Sequence, residues 1–390
     1  MTEVSAAVAA AFRTEWSRVV ATLIGWCGDW DLAEECAQEA FALALRTWSR
    51  DGVPDRPGAW LTTVARRRAL DRLRRSRMAE EKLRSLPPPS PSNDQLSLLF
   101  TCCHPALAFE GQVALALRTL TGLTTAEIAH AFVVPEATMA KRLTRTKQKI
   151  RDAGIPYRVP PEHLLPERTA AVLGVVYLLF NEGYVATTGP ALDRPRLREE
   201  ALHLAELVVA LLPDDPEARG LLALLLLHQA RAASRTEQGT LVPLEEQDRS
   251  TWDRSLIARG LSELRHAARR EHLGPYQLQA MIAARHVTAT SPAETDWPRI
   301  VELYDALLTM VPSRTVALNR AVAVAMAAGP EAGLTELSTL DHPYLPAVRA
   351  DLLRRLNRPT EAAAHYREAL ARTENGGERR YLTRRLEELS

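Results

Sequence analysis

Cysteine is scarce in this chain, and long apolar runs and an excess of one charge are missing from it. Four cysteines in 390 residues cannot build a disulfide framework and fit a reducing compartment. The longest apolar stretches, "LLALLLL" and "AAVLGVVYLLF", are too short for a membrane span. The N-terminus has no basic segment ahead of a long apolar run, so no secretory signal is read there. A soluble, cytoplasmic protein is expected, with no membrane partner. A net charge of +1 argues against a uniformly cationic nucleic-acid coat. Also absent is sustained two-residue hydrophobic alternation, the mark of half-buried strands.

What is present is helical in period, and Leu, Ala, Arg and Glu, all good helix formers, dominate. The expected fold class is all-α. At this length two or three domains are expected. Charge is unevenly spread. Residues 1–155 hold 21 Lys and Arg against 17 Asp and Glu, net +4, and the rest hold 28 against 31, net −3. Local basic stripes of that kind suit phosphate contacts. The proline clusters "LPPPSPSND" (86–94) and "GIPYRVPPEHLLP" (154–166) cut the chain into three helical parts, the first cluster reading as a stiff, extended linker.

The most telling stretch is "VVPEATMAKRLTRTKQKIR" (133–151). Met139, Leu143 and Ile150 make a narrow apolar stripe, while Thr138, Lys141, Arg142, Arg145 and Lys149 fall on the other face. Six basic residues and no acidic one lie between Thr138 and Arg151. Just upstream, "LTTAEIAHAF" reads as a second short helix with Ile128, Ala129 and Phe132 inward, and the pair makes a helix-turn-helix. Val133, in the turn, cannot adopt the left-handed conformation without strain, so a backbone path without it is expected there.

Earlier in the chain, "DLAEECAQEAFALALRTW" reads as a helix with Leu32, Cys36, Phe41 and Leu45 toward the core. Asp31, Glu34, Glu35, Gln38 and Glu39 give it an acidic and amide face. Acidic helices avoid DNA, so this face is either solvated or docks protein. "AWLTTVARRRALDRLRRSR" follows, with Leu61, Val64 and Ala65 on one side. Arg67, Asp71 and Arg74 lie on another, with Arg66, Arg72 and Arg75 around the rim. Trp60 is read as an exposed aromatic at its start. Basic residues beside an aromatic suit single-stranded or melted DNA.

An acidic docking helix, a basic strand-binding helix, a linker and a helix-turn-helix, in that order, resemble a bacterial RNA polymerase sigma factor of the extracytoplasmic-function class. "DLAEECAQEAF" is similar to the region that binds the polymerase clamp helices. "AWLTTVARRRALDRLRR" is similar to the −10 reader, and "LTTAEIAHAF…ATMAKRLTRTKQKIR" to the −35 reader. "LLFTCCHPAL", "YLLFNEGY", "EEQDRSTWD", "GPYQLQAMIAARH" and "LNRAVAVA" resemble the subgroup with a large tetratricopeptide-like (TPR-like) C-terminal domain. The resemblance implies sigma region 2 at 8–78, a Pro-rich linker at 79–94, region 4 at 95–152 and a TPR-like regulatory domain at 167–390. Its implied partners are polymerase core (β′ clamp helices and β flap), promoter DNA and a small YCII-related (DGPF) protein. It implies regulation without a dedicated membrane anti-sigma factor.

By the same resemblance Asp31, Glu34, Glu35, Gln38 and Glu39 would face the clamp. The loop Asp51–Gly58, with Trp60, would capture a flipped base, and Arg66, Arg67, Asp71, Arg74 and Arg75 would line the −10 strand. Thr138, Lys141, Arg142, Arg145 and Lys149 would enter the −35 groove. Arg67 departs from the pattern, which usually has asparagine there; a guanidinium contacts phosphate or guanine instead.

Within the C-terminal part, Ala350, Leu353, Ala362, Tyr366 and Ala369 match TPR packing spacing. Tyr304, Leu307 and Pro312 repeat the end of a unit, and an insert falls around 231–255. "NEGY" (181–184) and "EEQDRSTWD" (245–253) suit either a ligand groove or, preferably, capping and hydrogen bonding by Asp248, Arg249 and Asp253. "TCCHP" (101–105) lacks a second Cys/His group at zinc spacing and reads as core thiols. No metal, cofactor or catalytic constellation is read, so the chain is not expected to be an enzyme. The competing reading is a one-component helix-turn-helix regulator with a peptide- or ligand-sensing TPR-like half. It leaves the acidic and arginine-rich helices without work.

Overall fold

In the computed structural model, residues 3–75, 94–132, 134–186, 191–269 and 273–389 are described. The proline-rich linker up to position 93 and Val133 lie outside them. The fold is all-α, with one two-residue hairpin among the described residues. The chain divides into a unit from Met1 to Val176 and another from Tyr177 to Ser390.

The first unit begins with α1 (Glu3–Cys27), α2 (Trp30–Asp51) and α3 (Pro57–Arg75), which pack on one another. Asp29 starts α2 by accepting from the amides of Asp31 and Leu32, each at 3.1 Å, a standard N-cap. The inward stripe of α2 runs Ala33, Cys36, Ala37, Ala40, Phe41, Ala44 and Trp48. Leu45, expected inward, is instead 47% exposed, because it lies beyond the edge of that stripe. Next come α4 (Asp94–Cys102), α5 (Phe109–Ala116), a π-helical turn at Leu117–Thr121, α6 (Thr125–Ala131) and α7 (Glu136–Asp152). Thr124 and Glu127 form a reciprocal capping box at the start of α6. Pro135 stands just before the first residue of α7, where its missing N–H costs nothing.

These later helices pack against α1. Gly122 has φ +80°, and a Cβ there would sit 2.6 Å from the Phe12 ring. Phe12 in turn stacks on Trp16 and meets Phe41 edge-on, with centroids 4.9 and 5.0 Å apart. The Tyr157 hydroxyl lies 2.9 Å from the Ala21 carbonyl oxygen, and Gln95 donates to Ser17 at 2.7 Å. Cys102 and Cys103 are buried here, their thiols pushed up by desolvation, that of Cys102 to about 12.

Helix α8 (Leu165–Tyr184) follows a 3-10 turn. Over Glu162–Tyr184 this segment is long and apolar enough to cross a membrane by length and composition alone, longer than its uninterrupted apolar run suggested. Val172, Val176, Leu179 and Phe180 on it are buried against protein, while Leu178 is exposed.

The second unit continues with α9 (Pro195–Leu211), α10 (Pro216–Gln229), the hairpin β1 (Thr236–Glu237) and β2 (Thr240–Leu241), α11 (Arg254–Ala267) and α12 (Pro275–Thr288). It ends with α13 (Trp297–Met310), α14 (Arg314–Ala328), α15 (Pro330–Glu336), α16 (Leu345–Arg355), α17 (Pro359–Arg372) and α18 (Gly376–Glu387). Consecutive helices pack against one another, as short connections favour. Ala350, Leu353, Ala362, Tyr366 and Ala369 share one core cluster with Leu382. Leu307 anchors another, against which Tyr304 packs. The non-helical insert is real. It holds β1–β2 and 3-10 turns between α10 and α11.

Candidate nucleic-acid and protein-docking faces

Helix α2 presents its five polar residues in three different settings. Gln38 and Glu35 are exposed, and Glu35 is ion-paired to Arg72 of α3. Glu39 is half-buried and accepts from Arg72 at 2.6 Å, with Arg68 3.9 Å away. Glu34 is only 4% exposed. Its Oε2 accepts from Arg118 Nε at 2.8 Å, and Lys147 Nζ lies 2.9 Å from its Oε1. Lys147 also donates to exposed Asp31 at 2.8 Å. The Lys147–Glu34 contact is one of charge, since its angle leaves Oε1 without a formal hydrogen bond. Every carboxylate of this face therefore has a cationic partner within the chain, buried at Glu34 and exposed to solvent at Asp31 and Glu35.

On α3, Leu61, Ala65 and Ala69 face inward with Val64 half-buried. This turns Arg67 and Arg74 outward, with Asp71 and Arg66 at the margin. Arg75 closes the helix. The Arg66 guanidinium sits 5.3 Å above the Trp26 ring, a cation–π contact that fixes its direction. Trp60, read as an open aromatic, is half-buried edge-on against Trp48, with centroids 5.6 Å apart. A groove of about 850 Å³ runs beside it, lined by Glu15, Arg18, Arg56, Thr62, Arg66 and Arg67 among others. Arg18 of α1 escapes sequence reading because only the α1–α3 packing brings it here. The groove combines several guanidiniums with hydroxyls and one carboxylate, a surface suited to a polyanion strand.

On α7, Met139, Leu143 and Ile150 are buried. Thr138, Lys141, Arg145 and Lys149 are exposed and Arg142 is half-exposed. Together they form one cationic face following a short preceding helix, the geometry that presents side chains to a DNA groove. Lys147, on the same helix, points the other way and is buried.

The motifs of the second unit do structural work. Asp248 caps Ser250, and Asp253 caps Ser255 and Leu256. Arg249 donates to the carbonyls of His286 and Ala289 at the end of α12. In "NEGY", Gly183 permits close approach of α9: a Cβ there would lie 2.5 Å from the Arg198 amide nitrogen. The Tyr184 ring is covered by Arg235 at 3.4 Å, and its hydroxyl accepts from Arg231 at 2.8 Å. Among the described residues no group of three or more His, Cys, Asp or Glu is arranged to hold a metal ion.

Comparison with known proteins places two family matches on this frame. Residues 12–78 match sigma-70 region 2, and residues 168–268 match a family of unknown function, DUF6596. An uncharacterized protein of Rhizobium meliloti (strain 1021) is 40% identical over 399 aligned positions, covering 96% of this chain and 93% of the relative. No solved structure matches the chain.

Proposed function

This chain belongs to the same family as that Rhizobium meliloti protein and, through its region 2 domain, to the sigma-70 factors, and from that premise we propose how its parts divide the work. It is a non-enzymatic initiation factor of the extracytoplasmic-function class. Core polymerase supplies the chemistry, and the chain supplies promoter address and melting. It acts in the cytoplasm. The region 2 match over α1–α3 carries the reading.

In this reading region 2 spans 8–78 and region 4 spans 95–152. The solvent-facing residues of the acidic face, Asp31, Glu35 and Gln38 with half-buried Glu39, meet the polymerase clamp. Arg66, Arg67, Asp71, Arg74 and Arg75 follow the −10 strand. Trp60 braces the loop Asp51–Gly58 through Trp48 and offers its remaining face to an unstacked base. Unstacking costs a few kcal/mol, which stacking and charge contacts offset. Thr138, Lys141, Arg142, Arg145 and Lys149 read the −35 element. The TPR-like C-terminal part, 167–390, controls the sigma module.

Binding of full-length protein to core polymerase tests this, with run-off transcription as the second readout. Glu35→Arg is expected to weaken core binding at least tenfold, about 1.4 kcal/mol. No core binding, together with a stable dimer on palindromic DNA, would instead establish a one-component regulator.

A further inference from the structure

We infer that the chain's own −35 module occupies part of the polymerase-docking face, and that polymerase must displace it with a basic group of its own. The inference rests on the reading of α2 as the docking helix. Glu34 belongs to that helix and to the region 2 match, while Lys147 belongs to the cationic helix α7. Glu34 is 4% exposed and Lys147 is 6% exposed. Arg118, the second residue of the π-helical turn after α5, completes the group through Glu34 Oε2 at 2.8 Å. One carboxylate thus holds two cations from the other module, and Lys147 reaches past it to Asp31.

Burial decides what can replace this contact. A carboxylate withdrawn from water is tolerated only while paired, so a protein that covers Glu34 in their place must bring its own cation. Exposed Glu35 and Gln38 offer that protein a first foothold beside the occupied site. Displacement frees Lys147, whose helix already exposes Lys141, Arg145 and Lys149. Core binding and release of the −35 module are therefore one coupled equilibrium. Because the pair is buried, added salt screens it weakly. The apolar seam of Phe12, Trp16 and Gly122 must open as well, so loss of the charge contact alone shifts the balance without abolishing the closed form.

The test uses the full chain. Lys147→Met keeps the apolar stem and removes the charge, while Arg118→Gln removes the other cation independently. Both are expected to bind core polymerase threefold to tenfold more tightly than wild type, and Lys147→Arg is expected to restore the wild-type value. Spin labels at Ser49→Cys and Gln148→Cys, both exposed sites, report the separation of α2 and α7. Core is expected to lengthen that distance, and Lys147→Met to populate the longer distance without core. Core binding with unchanged or weakened affinity in both variants overturns the inference, as does a label distance that core leaves unaltered. Failure of every variant and of wild type to bind core overturns the docking reading itself, and the competition with it.

Discussion

Arg66 and Arg67 are neighbours in sequence with different settings. Arg66 is held over Trp26 at 5.3 Å, so its charge is fixed in place. Arg67 is exposed, lines the same groove and makes no ion pair among the described residues. A free guanidinium recognises guanine through O6 and N7, whereas an asparagine amide suits adenine. Arg67→Asn is therefore expected to move base preference at one −10 position from guanine toward adenine, by about 1–3 kcal/mol. Competition among four single-base promoter variants checks this; equal losses on all four would make Arg67 a phosphate contact.

His286 supplies a second residue-level prediction. Burial, then the guanidiniums of Arg231 and Arg249, push its imidazole down to about 3. His228 is likewise held well below its ordinary range by burial and by Arg231 and Arg235. In the unfolded chain both take a proton near 6.5. Between that value and about 3 the unfolded state binds more protons, so stability falls as the pH drops through this window. Each imidazole contributes up to about 1.4 kcal/mol per pH unit. Melting temperatures from pH 7 to pH 5 should decline, and His286→Gln should flatten the slope. An identical slope in the variant would remove His286 from the account.

At the scale of elements, α7 shows what a sequence can and cannot reveal. Its apolar stripe and its exposed cationic face were both legible, because a helical period assigns each residue a direction. Lys147 lies four residues after Leu143 and three before Ile150, so its inward direction was legible too. Its partner was not: Glu34 lies 113 positions away, and only the packing of α2 against the later helices makes them meet. The same limit hid Arg18 in the groove and Trp48 behind Trp60. The misjudged Leu45 has a different cause. The alanines Ala33, Ala37, Ala40 and Ala44 carry the buried side of α2, and a search for large apolar residues passes over them. Base contacts come from the N-terminal half of a recognition helix. Arg142→Ala should thus weaken binding in a sequence-dependent way. Lys149→Ala, near the C-terminus, should weaken all sequences alike and reduce the salt slope by about 1. Titrations on matched and scrambled −35 elements at several salt concentrations separate the two.

For the whole molecule, the question is whether the two units stand or fall together. Each has its own core: Trp16, Trp48, Leu61, Leu98 and Leu115 are buried in the first, and the clusters around Leu307, Leu337 and Tyr366 in the second. Units with separate cores can unfold separately. Two glycines give one handle on each. Gly122 combines φ +80° with the Phe12 ring at 2.6 Å, and Gly183 faces backbone at 2.5 Å, so alanine at either site overpacks a seam at a cost of about 1–3 kcal/mol. For units of this size that lowers a melting temperature by about 2–4 °C per kcal/mol. Calorimetry is expected to resolve two transitions, with Gly122→Ala lowering one and Gly183→Ala the other. A single transition lowered by both substitutions would mean that the sigma module and its C-terminal part fold as one. The control proposed for the C-terminal part would then have to act through their common stability rather than through a contact made and released between independent bodies.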